Sequence, residues 1–377
     1  MNLLDLLLGR RLANHESGER KIGAIAGVPA MGLDAIASSA YGPEAAFTVL
    51  LPLGAAGIGW IGWVMAPVIA LLGILFAFYW QTLRAYPTNG GGYVVARENL
   101  GTHASLRAAA ALMVDYVLNV AVAISAGVGA LVSAVPSLHP HTLALCLLVL
   151  ALLALVNLRG TWDAARLFAV PTYLFIGSFA VIIGVGTWKV LLVGGHPPPL
   201  VAPAPLPAAP AGVGAWLLVR AFASGCAAMT GIEAVSNGMG AFRAPAVRNG
   251  RGTLAIIVLT LGVLLVGTIH LAQAYGIGAM DQTQAGYRSV LSQLAGVVLG
   301  DGPFYFIALA ALLAVLALSA NTSFVAFPLL CRMVAAAASC RGLSPMQAAG
   351  WCFPSASSTS PSPPGSCCWC SAASRTG

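Results

Sequence analysis

The stretch Gly32-Leu33-Asp34-Ala35-Ile36-Ala37-Ser38-Ser39-Ala40-Tyr41-Gly42-Pro43-Glu44-Ala45 decides how the rest of the chain reads. It sets an acid, two serines and a tyrosine inside the first long apolar run. That run starts near residue 23, so Asp34 lies roughly 16 Å along it, near the middle of a bilayer. Gly42-Pro43 is expected to interrupt the segment. A helix broken at mid-membrane beside an ionisable group is the pattern of a transporter binding site. The plainer alternative, an Asp that bonds a neighbouring helix, is weighed down by further polar clusters downstream.

Hydrophobic residues make up 59% of the chain and charged ones 8%, with a mean hydropathy of +0.87. Such a composition excludes a soluble globular domain and indicates a polytopic membrane protein whose surroundings are the lipid bilayer. The formal charge of +7 does not point to nucleic acid, because the basic residues stand singly in short loops. They follow the positive-inside pattern. At the N-terminus the apolar residues Leu3 to Leu8 precede Arg10 and Arg11, the reverse of a secretory signal. A short amphipathic helix on the inner membrane surface is expected there. Cys146, Cys226 and Cys331 stand alone in apolar segments as packing residues, and five more cysteines crowd the end without a zinc spacing. No cofactor and no enzymatic nucleophile–base pair is indicated.

Eight spans are expected, near 23–51, 54–82, 105–135, 142–158, 165–193, 213–240, 251–276 and 303–336. Basic residues alternate with loop parity: Arg84, Arg97 and Arg107 follow the second span, Arg159 and Arg166 the fourth, and Arg243, Arg248 and Arg251 the sixth. This puts the N-terminus in the cytoplasm of an inner or plasma membrane, with Lys189 and Arg288 as single outer exceptions. The chain divides into a cytoplasmic segment 1–22, a first five-helix repeat 23–193, an outer Pro-rich linker 194–212, a partial second repeat of three helices 213–336, and a tail 337–377. The linker is expected to be an extended spacer. The run Tyr86 to Tyr93 reads as a tight cytoplasmic turn, since it lacks the Lys-Ser/Thr of a phosphate loop. Asn157-Leu158-Arg159-Gly160 also reads as a turn, and His270 as a hydrogen-bonded packing residue.

Ionisable residues at membrane depth are few: Asp34, Glu44, Asp115 and Glu233. Asp34, Ser38 and Tyr41, at i, i+4 and i+7, share one helix face. Asp115, Tyr116 and Asn119 form a second cluster in the third span, and Thr230 with Glu233 a third in the sixth. The sixth span also carries Gly231 and the helix-breaking Ser236-Asn237-Gly238. Spans one and six, five apart, are therefore both acidic and both interrupted, as in an inverted repeat with its site between two broken helices. Carboxylates, hydroxyls, a phenol and freed carbonyls suit a bare alkali cation, whose hydration shell must be replaced by oxygens. An amino acid's carboxylate prefers bare N–H groups at half-helix ends. Neighbouring acids away from water also favour retention of a proton on one of them, so Asp34, Asp115 and Glu233 are candidates for proton coupling.

These residues resemble the amino acid–polyamine–organocation (APC) superfamily, and within it the KimA-type, KUP-related potassium transporter branch. The resemblance rests on Asp34…Ser38…Tyr41…Glu44, on Asp115-Tyr116, and on Thr230-Gly231-Ile232-Glu233-Ala234…Ser236-Asn237-Gly238. Tyr86-Pro87 with Gly90-Gly91-Gly92, Pro171-Thr172-Tyr173 and Ala320-Asn321-Thr322-Ser323-Phe324 are similar to superfamily-wide signatures. The resemblance implies an all-α LeuT-type inverted-repeat fold, truncated after about eight helices, and proton-coupled potassium uptake. It implies that potassium is held by Asp34, Tyr41, Tyr116, Thr230 and Glu233, with Ser38 and Asn119 beside them, and that the protein is a homodimer. The branch has hydroxyl residues where this chain has Ala37, Asn119 and Ala123. Two other readings stay open: a permease for amino acids or other small organic solutes, and a truncated product that does not transport.

After Met333 the sequence turns to Ser, Pro, Cys and Trp without periodicity. Residues 340–377 read either as a low-complexity tail or as a frameshifted stretch. Back-translating with GC-rich codons and shifting the frame can give a basic loop and about 24 apolar residues, enough for a ninth span.

Overall fold

The computed structural model describes residues 21–87, 91–159, 164–206, 212–284 and 286–339. The expected N-terminal surface helix, the tip of the 86–93 turn and the 340–377 tail lie outside these residues. The packed body ends at Leu330, and residues from Cys331 form a second unit. Among the described residues the fold is all helical, with one isolated bridge between Ile22 and Phe242.

Among the described residues seven helical stretches are long and apolar enough to cross a membrane: Ala55–Ala85, Thr102–Ala134, Pro136–Leu155, Phe168–Val193, Ala215–Asn237, Ala246–Tyr275 and Pro303–Ala335. Trp63, Leu143, Val170 and Leu259 on these stretches are each at least 70% exposed, as lipid-facing side chains are. The expected count was eight. The missing one is 23–51, which is two helices rather than one: α1 (Ala24–Met31) and α2 (Leu33–Leu50). Neither half alone passes as a span, because the segment is interrupted and its second half carries Asp34, Ser38, Ser39, Tyr41 and Glu44.

The interruption falls at Gly32, ten residues before the expected Gly42-Pro43. Gly32 leaves the helical region (φ −105°, ψ 3°), and a β-carbon there would press on Ile257 and the Val28 carbonyl. Pro43 instead sits inside a continuous α2, since a membrane helix tolerates proline where its neighbours satisfy the backbone. Gly42 serves packing: a β-carbon would lie 2.7 Å from Ala228 Cα.

The long helices that follow are α3 (Ala55–Ala85), a short α4 (Gly92–Leu100), α5 (Thr102–Ala134), α6 (Thr142–Arg159) and α7 (Ala164–Val193). Asn157 lies within α6 and bonds the Leu153 carbonyl at 2.9 Å, so the helix runs through most of the expected 157–160 turn. The sixth segment is discontinuous. Helix α8 (Ala215–Gly225) gives way to a 3-10 turn at Cys226–Met229, an extended Thr230, Gly231 at φ +82°, and the single turn α9 (Ala234–Asn237). Gly238 then ends that turn, so the break spans both expected sites. Helix α8 packs extensively on α2.

After α10 (Ala246–Tyr275) the chain forms α11 (Val290–Leu299), an apolar helix too short to span, before α12 (Pro303–Ser339). Helix α11 was not anticipated, because ten residues fall below span length. The two outer exceptions to the charge pattern serve this region. Lys189 Nζ donates to the Val298 carbonyl at 2.6 Å, favourable at a helix C-terminus, and Arg288 pairs with Asp301 at 3.1 Å. The Pro-rich connection is docked rather than free: Leu200 N–H donates to Val297 O (3.0 Å) and Ala204 N–H to Gln293 Oε1 (3.3 Å). His270 is on the exposed face of α10 and does not take the expected packing role.

Candidate functional site

Both discontinuities meet at Asp34. The residue sits in the first turn of α2 and is 6% exposed. Gly231, at the sixth-segment break, lies against it so closely that a β-carbon would come 2.7 Å from Asp34 Cβ and 2.8 Å from Oδ2. Positive φ and this contact together require glycine there. Asp34 Oδ2 accepts from Asn119 Nδ2 at 2.9 Å. Asp34 Oδ1 is buried with no hydrogen-bond partner. A buried carboxylate oxygen without a partner is costly.

One and two turns along the same face of α2 lie Ser38 and Tyr41. Tyr41 Oη donates to Asn119 Oδ1 at 3.0 Å and lies 2.6 Å from Thr230 Oγ1. Its single proton goes to the amide oxygen, and the one proton of Thr230 Oγ1 is also in reach of the Ala227 carbonyl at 3.1 Å. A directed chain results: Tyr41 to Asn119 to Asp34. Ser38 Oγ bonds the Ala35 carbonyl of its own helix (2.7 Å) and the Ala228 carbonyl of the broken segment (2.6 Å). It ties the two interruptions together.

The remaining expected residues surround this core at longer range. Asp115 is half-buried one turn before Asn119 on α5, Tyr116 is 7% exposed, and Glu233 is partly buried at the start of α9. The charges of Glu233 and Asp115 both bear on Asp34, and that of Asp115 on Glu233. Tyr79 of α3 lies within the field of Glu233. Among the described residues no group of three His, Cys, Asp or Glu side chains is placed to hold a metal ion, so an ion here would depend on mixed oxygen donors.

Three participants were not read as site residues. Ser323 of α12 accepts from Asn119 Nδ2 at 3.2 Å; its superfamily-like motif was visible, but nothing in the spacing aimed it at Asn119. Tyr79 gave no signal. Glu44, noted as an acid at membrane depth without a role, accepts a hydrogen bond from Tyr287 in the 276–289 connection. Tyr287 is 4% exposed, and beside it Ser289 N–H donates to Ser133 Oγ at 3.0 Å.

Residues 27–345 match the family model described as amino acid permease. The chain belongs to this family. The chain is also 38% identical over 327 residues, 85% of its length, to the potassium transporter KimA of Bacillus subtilis (strain 168). That alignment covers 52% of the relative, so the chain spans about half the length of the curated relative it matches. It is thus a polytopic membrane protein of a transporter family, and the resemblance read from its first, third and sixth spans holds.

Proposed function

We propose that this permease takes up potassium in company with protons, at a site between its two discontinuous segments. The observation that carries the reading is Asp34 Oδ1, a buried carboxylate oxygen with no partner, on a residue joined through Asn119 to the hydroxyls of Tyr41 and Thr230. A dehydrated monovalent cation supplies the missing partner. Asp34, Ser38, Tyr41, Tyr116, Asn119, Thr230 and Glu233 line the site, and Asp34, Asp115 and Glu233 share the coupling proton. None of these acids forms an ion pair with a described cation, which suits groups that trade a proton for a guest. The printed name of the relative, a potassium transporter, agrees.

The wider architecture proposed is the LeuT-type inverted repeat, with 23–193 as the first repeat, 194–212 as an outer linker, 213–336 as part of the second, and 1–22 and 337–377 flanking them. Two interrupted segments, first and sixth, support it. The first segment counts as an eighth crossing. A cytoplasmic N-terminus agrees with the bridge in which Ile22 N–H donates to Ala241 O (2.9 Å) and Arg243 N–H to Ile22 O (3.0 Å). This sets the start of α1 beside the Arg243, Arg248 and Arg251 loop. A homodimer is proposed on family resemblance alone.

Expression in a strain lacking potassium uptake tests the reading. Growth on limiting potassium that is lost with Asp34→Asn supports it. Failure of a protein shown to reach the membrane, together with uptake of an amino acid, moves the reading to organic solutes.

A further inference from the structure

Asn119 stands among the oxygen donors by its position, yet its geometry at Asp34 is that of a competitor for them. A carboxylate oxygen requires a donor, so the amide is oriented with its nitrogen toward Asp34. Nδ2 then lies 2.9 Å from Asp34 Oδ2 and 3.2 Å from Ser323 Oγ, while Oδ1 is taken by Tyr41 at 3.0 Å. A potassium ion stripped of water approaches oxygens to much the same distances. Asn119 and Ser323 are 5% and 3% exposed, and no second guest fits where the nitrogen sits.

We propose that Asn119 is the specificity-determining residue of this pocket: its NH2 group stands in for a cation between Asp34 Oδ2 and Ser323 Oγ. The tethered, partly positive group closes that position. It leaves Oδ1 as the carboxylate oxygen open to a guest and lowers the pull of Asp34 on that guest. The inference rests on the cation reading above and adds a built-in limit on affinity and on the number of ions held. Replacing the amide by a hydroxyl removes the surrogate and frees two oxygens, Asp34 Oδ2 and Ser323 Oγ, to face an ion. A merely structural Asn119 predicts the opposite, a weaker site in a loosened fold.

The test is titration of the purified 377-residue protein with potassium, rubidium and sodium chlorides. It follows the rise in melting temperature of each variant relative to its own ion-free transition. Asn119→Thr and the smaller Asn119→Ser are compared with the wild type, each with and without Ser323→Ala. The potassium midpoint is expected to fall about tenfold in Asn119→Thr or Asn119→Ser, the scale of one hydrogen bond to a charged group. That gain should disappear when Ser323→Ala is added. A midpoint unchanged or raised in variants that still respond overturns the inference alone, as does a gain that survives Ser323→Ala. No response to any of the three cations in wild type and variants overturns the cation reading as well. A response in the hydroxyl variants but not in the wild type supports the surrogate role.

Discussion

Two acids on one helix, the buried Asp34 and the half-buried Glu44, are held in opposite ways. They lie ten residues apart on α2, roughly 15 Å at helical rise. Glu44 is clasped by the phenol of Tyr287, which arrives from the connection before α11. Asp34 is engaged on one oxygen only, by an amide, and its other oxygen is buried without a partner. Two further acids act on it electrostatically. A carboxyl side chain on the same helix is therefore closed by the fold at one level and left incomplete at the other. Incompleteness at the crossing of two interrupted segments marks a place for a guest. Completeness ten residues further along marks a joint between α2 and the 276–289 connection.

The comparison breaks most sharply at Asp34. Asp34→Asn should lower potassium or rubidium uptake by at least about a hundredfold while membrane insertion, read by surface labelling, is unchanged. An equal loss in Glu44→Gln would erase the distinction between the two acids. Next in size is Gly231→Ala. The substitution meets both a positive φ and the Asp34 side chain, so a destabilisation of about 1–3 kcal/mol is expected, together with loss of cation-induced stabilisation. Both are read from one melting series. Tyr287→Phe should cost about 1 kcal/mol by removing the phenol donor from Glu44, with the potassium midpoint unchanged; a shifted midpoint would place Glu44 in the binding site. The smallest effect is expected for Glu44→Gln, whose amide oxygen still accepts from Tyr287. Its melting temperature should stay close to wild type.

Periodicity made the core of the site legible. Asp34 and Tyr41 share a helix face, Asn119 falls one turn beyond Asp115, and Thr230 precedes the glycine that the break requires. The position of the first break was not legible. Gly42-Pro43 carries the stronger breaking composition, but Gly42 answers to the close approach of Ala228 and Pro43 is tolerated inside α2. Gly32 bends because Ile257 occupies the space of its side chain. Ser323, Tyr79 and Tyr287 come from distant helices and connections, and local spacing does not say which helix faces reach α2 or α5. Helix α11 escaped because ten apolar residues are too few for a span. The docking of the Pro-rich connection was not legible, since its bonds are made by Leu200 and Ala204 backbone groups rather than by any distinctive side chain.

The central claim is that the free oxygen of Asp34 takes a monovalent cation. Anomalous scattering from crystals of the protein grown in rubidium tests it directly. The account predicts a rubidium peak in contact with Asp34 Oδ1, flanked by Tyr41 and Thr230, that is absent from Asp34→Asn crystals. A pocket without rubidium at saturating salt, or a peak that persists in Asp34→Asn, would contradict it.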